Sequence, residues 1–167
     1  MTTTETPKKA TTETFVKMIV DRWYASIKSC DALLNSVSDE QLQKEIAPGR
    51  NRGAYILGHL IAVHDDMIVL LDMGEKLYPE LRKPFLDSPD KSIAEIPSAK
   101  ELRENWAEQC EWLKQKFESL KPAEWFEKHT TVSSEDFAKE PHRNKLNIIV
   151  TRTSHLQYHI GQLVLLR

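Results

Sequence analysis

The chain has 167 residues, 40% of them hydrophobic and 29% charged, enough for one domain that buries a core without disulfide staples. Its 23 Lys and Arg against 25 Asp and Glu leave a net charge of −2, so no basic field exists to hold a phosphate backbone and no nucleic-acid partner is expected. The longest uninterrupted apolar run, Met67 to Leu71, falls far short of the ~18 residues of a membrane span, so no membrane partner is expected either.

In chain order, residues 1–12 are rich in Thr and charge and read as a polar tail, with residues 13–167 as a single domain. The tail lacks the apolar stretch of a secretory signal, so a cytoplasmic location is expected. Val16, Val20, Trp23, Ile27, Cys30, Leu34 and Val37 follow in steps of four and three, which puts one apolar stripe on a first long helix. Ser38 with Gln41 has the spacing of a capping box, so a short helix is expected from Asp39 to about Lys44, ahead of an Ala47-Pro48-Gly49 turn. A second long helix is expected from about Gly53 to Met73, capped by Asn51 and stopped by Gly74. Its broad apolar surface makes a homodimer the expected assembly.

Pro79, Pro84, Pro89 and Pro97 then cut the chain into pieces too short for a core helix, as in a crossover running along a bundle. Ser98 with Glu101 is a second capping box, and Leu102, Trp106, Cys110, Leu113, Phe117 and Leu120 give a third helix its stripe until Pro122. A polar stretch with Trp125, His129 and His142 precedes a fourth helix from about Leu146 to the end. Four helices of about 20 residues are each ~30 Å long, and the expected fold is an all-α four-helix bundle with a long crossover between its second and third helices. Trp23, Trp106 and Trp112 are expected as fillers of the core or of an interface, and Cys30 and Cys110 as reduced core thiols.

The last helix carries His155 and His159, four residues apart, hence one turn apart on one face. Two imidazoles so placed can converge on a divalent metal such as Zn, Ni, Fe or Cu. Gln162, one turn on, can orient a ligand or a bound molecule, and Gly161 can let a neighbouring helix come close at a cost of about 1 kcal/mol in helix propensity. A third ligand must come from another helix, which offers His59, on a face with Ile56, Val63, Asp66 and Leu70, and His64, with Leu57, Ile61, Ile68 and Leu71. Both faces are apolar, so periodicity leaves the choice open. Asp66 is a candidate base or a second-layer carboxylate two turns from His59. The protease pattern His-Glu-x-x-His fails here, because Leu156 stands where its general base belongs.

The ending His155-x-x-x-His159 with Gly161-Gln162 and Leu166-Arg167, together with Leu57-Gly58-His59-Leu60, resembles the DinB superfamily, whose members are also described as DinB/YfiT-like, over about Phe15 to Arg167. The resemblance implies a four-helix bundle with His59, His155 and His159 as ligands of a divalent metal, Zn or Ni ahead of Fe or Mn. It also implies a transferase acting with a low-molecular-weight thiol on a small-molecule substrate. The chain departs from the commoner family pattern, in which a Trp precedes the second-helix motif: Asn51-Arg52-Gly53-Ala54-Tyr55 fills that stretch. A hydrolase using metal-bound water, and a non-catalytic metal-binding or interaction bundle, are the other two function classes these residues allow.

Overall fold

The computed structural model describes residues 5–167 and is built of helices, with two isolated β-bridges and no strand among the described residues. Four long helices make the bundle: α1 (Glu5–Leu34), α3 (Gly53–Leu70), α5 (Ala99–Ser119) and α7 (Lys145–Leu163). Three short ones lie in the connections: α2 (Asp39–Leu42), α4 (Arg82–Phe85) and α6 (Ser134–Lys139). Helix α1 begins well before the expected end of the polar tail: residues 5–12 are helical, and only residues 1–4 of that tail lie outside the described residues. A polar composition does not prevent helix formation when an amphipathic stretch continues the same helix downstream, since elongation adds one hydrogen bond per residue to a nucleus already formed.

Both capping boxes form. The Ser38 and Ser98 hydroxyls accept from the Gln41 and Glu101 backbone N–H, and the Gln41 and Glu101 side chains reach back to the cap residues' own N–H groups. Ser98→Ala is expected to cost about 1 kcal/mol. Thermal unfolding should show this as a drop of about 2–4 °C in a chain of this size; an unchanged midpoint would contradict the cap's role. Asn51, expected to cap α3, does not: the cap residue is Arg52, with no side-chain cap bond. Its backbone N–H and guanidinium instead bind Asp90, the Nη2–Oδ1 distance being 2.7 Å. Helix α3 also stops three residues short of Met73, because Asp72 turns into the left-handed region at φ 58° before Gly74 does so at 137°.

The crossover can be followed by its partners on α3. Leu77 and Tyr78 donate their backbone N–H to Asp65, the Phe85 carbonyl reaches His59, Tyr55 Oη donates to the Ser88 carbonyl, and Asp90 meets Arg52. Each step along the connection moves one or two turns back toward the start of α3. Helix α5 therefore begins beside the start of α3 and runs parallel to it, with Gln109 Nε2 donating to Ile61 O and Asp65 Oδ1. Helix α7 runs parallel to α1, tied by Gln157 to Ser26 and by Arg167 to Ser36, a constant offset of 131 positions.

The core holds Trp23, Trp106, Trp125 and Phe85 at 2% exposure or less. Arg103 caps the end of α1 by donating to the Leu34 and Val37 carbonyls while binding Asp39, a cation placed where carbonyls are left unpaired. Cys30 and Cys110 are both free and buried, and burial pushes the Cys30 thiol up to about 12. Helix α3 is long and apolar enough to cross a membrane, but 72% of that window is packed inside the bundle. Most of the apolar surface from which the sequence led us to expect a homodimer is therefore core, with Val69 exposed.

Candidate metal centre

Helices α3 and α7 run antiparallel, and their packing brings His59 to the level of His155 and His159. The His155 Nε2 lies 3.1 Å from His59 Nε2 and 3.1 Å from His159 Nε2, and no two of the three ligand nitrogens are more than 4.8 Å apart. Two rings are fixed from behind. His59 Nδ1 faces the Phe85 carbonyl at 3.0 Å and His159 Nδ1 faces Gln162 Oε1 at 2.7 Å, and since both partners are acceptors, both Nδ1 atoms carry the proton. The Nε2 atoms of His59 and His159 therefore present lone pairs. His155 has one proton at most to share between them in its neutral form, so at least one 3.1 Å contact sets lone pair against lone pair. A cation among the three nitrogens removes that repulsion. In a tetrahedral site with metal–nitrogen bonds of 2.0–2.1 Å, nitrogens stand ~3.3 Å apart. The donor set fits a divalent ion of imidazole preference.

Burial, then the neighbouring imidazoles and Arg152, lower the His155 pKa to about 4, and burial also lowers that of His159. Both are ready as neutral ligands at pH 7. His64 is not part of the group. It is 1% exposed, stacked on Trp106 with centroids 5.2 Å apart, and burial drives its pKa down to about 3. An unfolded chain takes up a proton at this position below pH 6.5 and the folded chain does not until about pH 3. Stability is therefore complete above pH 6.5 and falls by about 1.4 kcal/mol per pH unit below it from this residue alone. Metal-free protein is expected to melt progressively lower between pH 7 and 5; a flat melting temperature over that range would contradict a neutral, buried His64.

Asp66 sits two turns along α3 with its carboxylate 2.5 Å from Lys76 Nζ and 3.3 Å from Arg82 Nη1. It ties the crossover to α3. Its neighbour Asp65, which the sequence reading passed over, is 1% exposed and accepts from Leu77, Tyr78 and Gln109. Only the donors brought to it by the crossover and by α5 reveal it, and no local pattern announces them. Gln162 does orient a histidine, and its amide Nε2 also donates to Tyr158 Oη at 3.1 Å. His129 bonds Thr131 and His142 is exposed, both remote in sequence from the cluster and outside it.

A small cavity of about 170 Å³ opens beside His59 and His159, walled by Tyr55, Ile56, Phe85 and Leu86 with Asn51 on its margin. A roomier cleft of about 520 Å³ lies between α1 and α5 and contains none of the three histidines, so the histidine cluster borders the smaller one.

The DinB superfamily model matches residues 22–163. A solved structure described as a conserved protein from Enterococcus faecalis superposes with a TM-score of 0.61 at 15% identity, covering 89% of this chain and 92% of that one, which shows the shared fold. No curated protein matches the sequence. With the bundle, its crossover and the three converged histidines in place, the chain belongs to the DinB superfamily.

Proposed function

We propose that this protein is a divalent-metal enzyme that joins a low-molecular-weight thiol to a small electrophile, with His59, His155 and His159 as ligands. The observation that carries the reading is the meeting of three Nε2 atoms, that of His155 3.1 Å from each of the other two, which Phe85 and Gln162 fix as lone-pair donors. Zinc and nickel suit an all-imidazole set best, with iron and manganese after them. When bound, such an ion lowers the pKa of a thiol enough to make it a nucleophile near neutral pH. The chain's own contribution is positional. Phe85 and Gln162 hold two rings in one tautomer, and Tyr55, Phe85 and Leu86 line the pocket with surfaces that exclude water. In the transfer, the S–H bond gives its proton to solvent, a sulfur–carbon bond forms, and the leaving group departs with its electron pair.

A thiol is favoured over water because hydrolysis needs a base. Asp66 is held by two cations, Asp65 is buried under three donors, and the cavity walls carry no carboxylate. The test is the cobalt-substituted protein titrated with cysteine, N-acetylcysteine and glutathione. A thiolate-to-cobalt charge-transfer band, lost in His155→Ala, is expected. Ester hydrolysis without any such band would favour the hydrolase, and a chain that takes up no cobalt, zinc or nickel would leave a non-catalytic bundle.

A further inference from the structure

Among the described residues, every lysine or arginine that is half-buried or deeper has a partner, with one exception. Arg52, Lys76, Arg103, Arg143 and Lys145 each hold a carboxylate, Lys128 donates to the Val132 carbonyl, and Lys116 lies over the Trp112 ring. Arg152, half-buried on α7, makes no hydrogen bond and no ion pair. Its Nε is shut off from solvent with no acceptor in reach, while its two Nη groups are not closed off in this way and bond nothing in the chain. Leaving such a cation unanswered is costly, since a charge taken out of water is stabilised only by pairing or hydrogen bonds. Asp66 acts on it from a distance and is already held by Lys76 and Arg82.

The place of this arginine is as telling as its lack of a partner. It stands one turn before His155 on α7, where Cβ atoms are ~5–6 Å apart. Burial and the other two imidazoles do most to keep His155 neutral, and the charge of Arg152 adds to them. The small cavity lies at the other end of the cluster. Tyr55 and Ile56 in its wall come one turn before His59, and α3 runs antiparallel to α7, so the cavity and Arg152 flank the three nitrogens from opposite directions along the helices. Apolar surface stands on one side of the centre and an unpaired cation on the other.

We propose that Arg152 binds a carboxylate of the thiol that the metal activates, so that the thiol substrate is a small mercapto acid and the cavity takes the apolar body of the electrophile. This rests on the reading of the three histidines as a thiol-transfer centre. Three neutral imidazoles leave the charge of a divalent ion uncompensated, and a thiolate that also carries a carboxylate answers both the ion and the arginine. A guanidinium can donate two parallel N–H groups to the two oxygens of a carboxylate, which fixes direction as well as position. Anchoring the acid end beside His155 leaves the sulfur end to meet the ion, which is the orientation a transfer step needs.

The cobalt-substituted full chain, titrated with N-acetylcysteine and with its uncharged amide, tests this, since the two thiols differ in the charge of one group and the thiolate-to-cobalt band reads each affinity. The wild type is expected to bind the acid about 10-fold more tightly than the amide, the worth of a hydrogen bond between charged groups. In Arg152→Gln the ratio is expected to fall to about one through weaker binding of the acid, with cobalt content and band position unchanged. Arg152→Met, which keeps the apolar stem, decides the matter if Arg152→Gln does not fold. Equal affinities in the wild type, or a preference for the acid that survives in the folded variant because the carboxylate binds the ion itself, would overturn the proposal and leave the thiol-transfer reading standing. A cobalt-loaded wild type that gives no band with either thiol would overturn both.

Discussion

Replacing His155 by alanine is expected to lower the affinity for zinc or nickel by more than ~100-fold, beyond the effect of losing a supporting group. His155 stands between the other two ligands, 3.1 Å from each, so its removal leaves a pair of nitrogens with nothing between them. Competition against a chromophoric chelator reads the loss directly. Gln162→Ala keeps all three ligands and removes only the acceptor that fixes the His159 tautomer, and a smaller loss of about 10–100-fold is expected. The metal-free His155→Ala protein should unfold no more easily than the metal-free wild type, because the substitution also removes a contact between lone pairs. A His155→Ala protein that binds zinc like the wild type would show that the three nitrogens do not act together.

The second large effect is expected from Gly58. A Cβ at this position would stand 2.4–2.6 Å from three carbons of the Phe85 ring, which is fully buried and cannot swing into solvent. Gly58→Val is expected to destabilise the fold by about 3 kcal/mol, at the upper end for overpacking, seen as a melting temperature lower by about 6–12 °C. The loss should reach the metal centre as well, because the residue pushed aside is the one whose carbonyl holds His59. Pairing Gly58→Val with Phe85→Leu opens space for the new methyl groups, so the double substitution should destabilise by less than the sum of the two. A fully additive result would mean that the glycine and the ring do not share one space.

These two sites differ in how far the sequence exposes them. The bundle is readable from side-chain spacing, since the stripe from Val16 to Val37, the two capping boxes and the proline-cut crossover are all local features. Sequence alone could not choose between His59 and His64, because both lie on apolar faces of α3; the resemblance to the DinB superfamily favoured His59. The fold shows why they differ: His64 turns to Trp23 and Trp106 in the core, and His59 turns to α7. The contact between Gly58 and Phe85 joins residues 27 positions apart and leaves no periodic trace. Asp65 and Asp66 are adjacent acids in the sequence, and only the crossover separates their roles: one is buried under backbone donors and the other is paired with Lys76 and Arg82. The capping of α3 went to Arg52 rather than Asn51 for the same reason, since Asp90 arrives from the far end of the crossover. The early start of α1 and the short helix α6, capped by Ser133, lay in polar segments where apolar spacing carries no signal.

The proposal that His59, His155 and His159 hold one divalent ion is tested most directly by X-ray absorption at the metal edge of protein reconstituted with one equivalent of zinc or nickel. The account predicts three imidazole nitrogens at about 2.0–2.1 Å for zinc, with the remaining positions taken by oxygen ligands or an added thiol. A spectrum with fewer than three imidazoles, or with sulfur from Cys30 or Cys110 when no thiol is added, would contradict it.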